Sequence, residues 1–148
     1  MIIRKAIATD IPAIHSLIRE LAEYEQAPEE VIVTEHDMLN YGFGSNPLFT
    51  CYVAEDQNQI IGMALYYIKY STWKGPCVFL EDIIVTQSRR KEGIGKVLFD
   101  QVLNDCRKMN CKRMEWQVLD WNTPAIKFYE QYEPEVLKEW LNYRLSFH

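Results

Sequence analysis

Apolar residues fall at Ile11, Ile14, Leu17, Ile18 and Leu21, a spacing of three and four that lays one stripe along a helix. Thr9-Asp10 precede the stripe as cap residues, with Pro12 in the first turn. The same spacing returns at Ile94, Leu98, Val102 and Cys106 and predicts a central helix from Ile94 to Met109. Between these helices the pattern changes. Leu48 to Glu55 and Ile60 to Tyr70 are rich in β-branched and aromatic residues and are separated by Asp56-Gln57-Asn58, which is hairpin chemistry. Met1 to Ile7, Val78 to Val85, Arg113 to Leu119 and Trp140 to Phe147 read as further strands. Thr34-Glu35-His36-Asp37 has the form of a capping box with aspartate in place of glutamate. It opens a short helix ending by Gly42-Phe43-Gly44, and Asn122 to Gln131 predicts a last helix. The order βααβββαβαβ implies an α/β (α+β) fold with a mixed, mostly antiparallel sheet flanked by helices.

Composition narrows the class of protein. A chain of 148 residues with 48% hydrophobic content suits one domain over 1–148 with one good core. No linker or low-complexity stretch divides it. No apolar run approaches the roughly 18 residues of a membrane span, and the N-terminus alternates charge with isoleucine; the expectation is a cytoplasmic protein without a membrane partner. The net charge of -5 disfavours nucleic acid and mildly favours cationic ligands. Cys51, Cys77, Cys106 and Cys111 lack Cys-x-x-Cys spacing and neighbouring paired histidines, so no metal and no disulfide framework is expected.

The stretch richest in chemistry is Arg90-Lys91-Glu92-Gly93-Ile94-Gly95-Lys96. It follows the apolar run Phe79 to Val85 and opens the central helix. A strand, a glycine turn and a helix N-terminus together make an anion site, because helix N–H groups and a partial positive charge of about +0.5 face outward there. A dinucleotide fingerprint wants a third glycine where Leu98 stands, and a Walker loop wants a hydroxyl where Val97 stands. Arginine three residues before Gly-x-Gly instead resembles the pyrophosphate loop of the GNAT superfamily of N-acetyltransferases.

The resemblance extends beyond the loop. Leu21-Ala22-Glu23-Tyr24-Glu25, Gly42-Phe43-Gly44, Tyr70-Ser71-Thr72-Trp73-Lys74-Gly75, Leu80-Glu81-Asp82, Leu119-Asp120-Trp121-Asn122 and Phe128-Tyr129 are similar to motifs of the spermidine/spermine N-acetyltransferase group. Ser71 to Gly75 is more similar to its thialysine acetyltransferase branch, since the polyamine enzymes carry aspartate where Ser71 stands. The match runs from about Ile3 to Tyr129. It departs at Gln131-Tyr132-Glu133-Pro134, where the family usually has a glycine, which puts the last strand and the dimer built from it in doubt.

The resemblance implies direct acetyl transfer from acetyl-CoA to a primary amine of a small amine or diamine, by a homodimer. The backbone from Arg90 through Lys91, Glu92, Gly93, Ile94 and Gly95 to Lys96 would take the pyrophosphate. Asn122 would also touch the coenzyme, and a backbone N–H among Ile83, Ile84 and Val85 would hold the thioester oxygen. An alkylammonium of pKa about 10.4 is only about one part in a thousand neutral at pH 7.4, and an ordinary carboxylate near 4.3 is about six pKa units too weak to deprotonate it directly. Glu81 is therefore cast as a base acting through water, with its pKa raised by burial. Strand alternation sends Glu81 and Asp82 to opposite faces unless a bulge intervenes. Tyr129, about two helical turns after Asn122, offers a phenol of pKa near 10 to a departing thiolate. Tyr24, Glu25, Trp73, Glu81 and Asp82 form the expected amine site, aromatic walls and carboxylates suited to an ammonium ion. The alternatives are a non-catalytic acyl-CoA-binding or interaction domain, and an acetyltransferase acting on a protein N-terminus or lysine.

Overall fold

The computed structural model describes residues 1–148. Two compact units, Met1–Gln117 and Val118–His148, make up the chain. The first contains strands β1 (Ile2–Lys5), β2 (Thr50–Asp56), β3 (Gln59–Ser71), β4 (Gly75–Val85) and β5 (Met114–Trp116). Its helices are α1 (Ile11–Tyr24), α2 (Glu35–Phe43) and α3 (Ile94–Lys108), and α4 (Thr123–Glu130) belongs to the second unit. The sheet runs β1-β2-β3-β4-β5 in space. Its first three pairings are antiparallel and the last, β4 with β5, is parallel, so the mixed, mostly antiparallel sheet expected from the pattern is present.

Alternation along the strands gives the sheet two apolar faces. Cys51, Val53, Met63, Leu65 and Ile84 form one core with Ile11, Ile14 and Leu17 of α1 and Met38 of α2, and Ile18 and Leu21 pack at its margin. On the opposite face the α3 stripe of Ile94, Leu98, Phe99, Val102 and Cys106 is buried. There Tyr52 and Tyr66 donate hydroxyl hydrogen bonds of 2.7 and 2.8 Å to Asp105 of α3. One carboxylate thus anchors α3 to two neighbouring strands.

The local signals behave unevenly. Thr34 and Asp37 form the reciprocal capping box of α2, and Asn122 caps α4 by accepting from the Ala125 N–H. The β2–β3 hairpin turns on Gln57 and Asn58, both left-handed at φ 48° and 62°, as a two-residue loop requires. Asp10 stands before α1 but does not cap it: its carboxylate takes two bonds from Arg4 and one from the Ile7 N–H. The strand expected over Arg113 to Leu119 shrinks to three residues. The strand expected over Trp140 to Phe147 does not form, because no neighbouring strand pairs with it and an isolated strand cannot satisfy its backbone groups.

Candidate active site

The centre of the site is a bulge in β4. Leu65 of β3 lies opposite Asp82, and the next residue, Tyr66, lies opposite Leu80, so Glu81 is the extra residue. Strict alternation would send Leu80 and Asp82 to the same face. The bulge separates them: Leu80 shares the α3 face with Tyr66, while Asp82 shares the α1 face with Leu65. An inserted residue re-aims a side chain in this way. The bulge on which a shared face depends is therefore present.

Asp82 is partly buried and Glu81 is exposed. Burial pushes the Asp82 carboxyl up from its ordinary 3.8 to about 7, and the charges of Glu81 and Glu25 push the same way. Glu25, just past the end of α1, is itself raised by burial. The charges of Glu81 and Glu25 thus act on one half-buried carboxyl, and Asp82 with these two neighbours makes the acidic recess of the site. The burial expected at Glu81 falls on Asp82, because the bulge leaves the extra residue outward and turns its neighbour toward α1.

The fifth strand accompanies β4 only as far as Leu80. The parallel pairing covers only Val78, Phe79 and Leu80 against Met114, Glu115 and Trp116, although β4 continues to Val85. The parallel pairing thus ends beside the acidic residues, and Ile83, Ile84 and Val85 have strand partners on the β3 side alone.

The glycine loop follows at once. Gly93 opens α3 in the left-handed region at φ 81°, and no side chain caps this helix. A Cβ at Gly93 would meet nothing within 4 Å, so φ, rather than crowding, calls for glycine here. The first intrahelical bond runs from the Val97 N–H to the Gly93 carbonyl, so the N–H groups before it lie outside the helix ladder, the position from which helix N-termini bind anions. Such an end suits a pyrophosphate. Ile94 is buried by its side chain and offers only its backbone, Lys91 and Glu92 are exposed, and Lys96 pairs with Asp100 at 2.6 Å.

Charged contacts fasten the loop on both flanks. Arg89 bonds Glu92 at 2.7 Å and Asp56 of the β2–β3 hairpin at 3.0 Å. Arg90 donates Nε–H to the Val85 carbonyl at 3.0 Å, and its guanidinium lies 5.2 Å from the centre of the Tyr24 ring. Sequence reasoning placed Arg90 with the coenzyme and Tyr24 with the amine; the fold puts the two in contact. It missed Glu20, whose carboxylate accepts from Thr86 and Gln87. The signal available was position, since Glu20 precedes Tyr24 by one turn on α1.

Trp73 is not brought to the acidic recess. It sits 78% exposed at the tip of the β3–β4 hairpin, where Ser71 pairs with Gly75. Ser71 lies six positions along β3 from the partner of Asp82, about 20 Å at the strand rise. Asn122 and Tyr129 belong to the second unit. Asn122 is the α4 cap, and Tyr129, largely buried, packs edge-on against Phe128 at 5.3 Å. No group of histidine, cysteine and carboxylate side chains is arranged to hold a metal ion.

The sequence model of the acetyltransferase (GNAT) family matches residues 11–132, and the chain belongs to that family. Its relatives carry the names of acetyltransferases, and the chain is an acetyltransferase. It is 37% identical to the thialysine N-epsilon-acetyltransferase of Mus musculus, over 97% of this chain and 91% of that one. It is also 37% identical to spermidine/spermine N(1)-acetyltransferase-like protein 1 of Homo sapiens, over 86% of this chain but 19% of that longer protein. Among solved structures, an aminoglycoside N-acetyltransferase in complex with CoA superposes with a TM-score of 0.77 at 22% identity, over 97% of this chain and 93% of that one.

Proposed function

We propose that the protein transfers the acetyl group of acetyl-CoA directly to the primary amine of a small cationic amine or diamine, with thialysine-like acceptors ahead of polyamines. The observation that carries this reading is the β4 bulge at Glu81, which turns Asp82 to the α1 face within reach of the Glu25 charge, followed along the chain by a glycine loop whose helix no side chain caps. The names of the mouse and human relatives support an amine acceptor.

Acetyl-CoA, when bound, supplies the activated thioester. In this proposal the backbone of Arg90, Lys91, Glu92, Gly93, Ile94, Gly95 and Lys96 holds the pyrophosphate, Arg90 adds charge, and Asn122 makes a further contact. The N–H groups of Ile83, Ile84 and Val85 are the donors for the thioester oxygen. Glu25 and Asp82 attract the ammonium and the Tyr24 ring covers it. Proton removal is the step the recess eases. Against an ammonium of pKa about 10.4, an ordinary carboxylate faces an uphill transfer of roughly 8 kcal/mol; a carboxyl near 7 faces about 5 kcal/mol. Asp82 is the carboxyl so raised, and Glu81, exposed on the bulge beside it, relays the proton to solvent through water. Tyr129 returns a proton to the departing thiolate, a role that rests on its sequence position and phenol chemistry.

We read residues 1–148 as one catalytic domain, acting in the cytoplasm as a homodimer. No helix is long and apolar enough to cross a membrane. The alternation of exposed Leu141, Tyr143, Leu145 and Phe147 supports a strand completed by a second copy, and a second copy is also the route by which Trp73 joins an acceptor site. Sedimentation velocity tests this, and a monomer at micromolar concentration rules the dimer out.

The deciding experiment is thiol release from acetyl-CoA with thialysine, lysine, putrescine, spermidine, spermine and a lysine peptide. Selective turnover of thialysine or a short diamine is the expected result. Preference for spermidine moves the protein to the polyamine enzymes, and preference for the peptide to protein acetylation. Coenzyme binding without turnover of any amine leaves a binding module instead.

A further inference from the structure

The β4–α3 loop rests on α1 through a residue outside the predicted site. Glu20 lies one turn before Tyr24, near the C-terminal end of α1. One oxygen of its carboxylate accepts the Gln87 N–H at 2.8 Å, and the other accepts the Thr86 hydroxyl at 3.0 Å. Its first oxygen also lies 3.9 Å from the Arg90 guanidinium. Thr86 and Gln87 are the first two residues after β4, where the chain leaves the sheet to form the coenzyme loop. The Thr86 N–H still pairs with the Ile61 carbonyl, so the sheet's own ladder ends at the residue where Glu20 takes over. Four residues later Arg90 folds back onto Tyr24 and the Val85 carbonyl. The route from the sheet to Gly93 is thereby anchored at its start by Glu20 and at its middle by Arg90.

We propose that Glu20 is a positioning residue for the coenzyme: it fixes the exit of β4 so that the loop is pre-shaped to receive a pyrophosphate. The inference rests on the acetyl-CoA reading above. A loop that must be ordered upon binding loses affinity to that ordering, and a loop ordered beforehand does not. Glu20 touches neither the amine recess nor the expected position of the acyl group, so its removal weakens coenzyme uptake and leaves the bound enzyme's turnover intact. The hydrogen-bond acceptor is the essential feature. Glutamine retains an oxygen for the Gln87 N–H, whereas alanine retains none.

The test is calorimetric titration of the full-length protein with coenzyme A, alongside steady-state kinetics. Glu20→Ala is expected to bind coenzyme A about tenfold more weakly, to raise the KM for acetyl-CoA by a similar factor, and to keep kcat and the amine KM within about twofold. Glu20→Gln is expected within about threefold of the parent. Thr86→Val, which removes one donor from the other side, is expected to weaken binding about threefold and serves if Glu20→Ala does not fold. A merely structural role predicts a lower melting temperature with unchanged coenzyme affinity, and that result overturns the proposal. Equal weakening by Ala and Gln overturns it too, since the retained acceptor would then make no difference. If the parent protein itself takes up no coenzyme A, the acetyl-transfer reading fails and this inference with it. If the parent binds and Glu20→Ala binds equally well, only this inference fails.

Discussion

Asp82 makes the stability of this protein depend on pH in an unusual direction. Burial and the charges of Glu81 and Glu25 raise its carboxyl from 3.8 to about 7 in the folded chain. Well below pH 4 the group is protonated whether folded or not, and it costs nothing. As pH rises from about 4 to 7, the unfolded chain releases this proton freely while the folded chain keeps it, so stability falls. Above 7 the loss is complete. At about 1.4 kcal/mol per tenfold in the proton equilibrium, the interval from 3.8 to about 7 gives an upper limit near 4 kcal/mol. Asp82 keeps some exposure to solvent, which screens its neighbours, and about 2 kcal/mol is the working figure. Asp82→Asn has nearly the same shape and cannot ionise. The variant should match the parent near pH 4 and exceed its unfolding free energy by about 2 kcal/mol at pH 8, while losing turnover. The assay is urea denaturation followed by tryptophan fluorescence at intervals from pH 4 to 8. Stability curves that run parallel across this range, at any offset, would refute the reasoning, because the cost of ionising Asp82 could not then come from the recess.

Three further outcomes follow from single residues. Tyr129→Phe should lower kcat at least tenfold and leave coenzyme binding unchanged by calorimetry; undiminished turnover removes Tyr129 from the mechanism. Asp10 is held below the usual carboxylate range by its bonds to Arg4. Its contribution is therefore present at neutral pH and lost as pH falls through that lowered value. Asp10→Asn should cost about 2 kcal/mol at pH 7, narrowing toward zero in acid on the same denaturation assay. Gly93→Val places a β-branched residue at φ 81°, at a cost of about 1–3 kcal/mol, and should weaken coenzyme A binding more than tenfold in titration; unchanged affinity would separate the glycine turn from the coenzyme.

The helices were legible because their signals are short-range. The α1 stripe, the Thr34–Asp37 box, the Asn122 cap and the glycine before Ile94 each act within one or two turns. Strand pairing is set by residues far apart, and there the reading loosened. Asp10 carried the composition of a cap, but Arg4 across the preceding turn offered a charged partner worth more than an exposed helix N–H. Leu141, Tyr143, Leu145 and Phe147 carried the alternation of a strand, but alternation supplies a face and not a partner.

The site divides along the same line. Its residue types could be named from motifs, whereas the contacts that give them different roles depend on register. One extra residue at Glu81 turns Asp82 from the α3 face to the α1 face, and only there does it feel Glu25. A single-residue slip in the β3–β4 pairing would return Asp82 beneath α3 and dissolve the recess without changing any motif. The length of β3 has a comparable consequence. Pairing that continues to Ser71 and Gly75 carries Trp73 about 20 Å away from the acids. An aromatic wall supplied from that distance must come from another chain, so the Trp73→Ala variant and the oligomeric state bear on the same question: a monomer with full activity leaves Trp73 no part in amine binding.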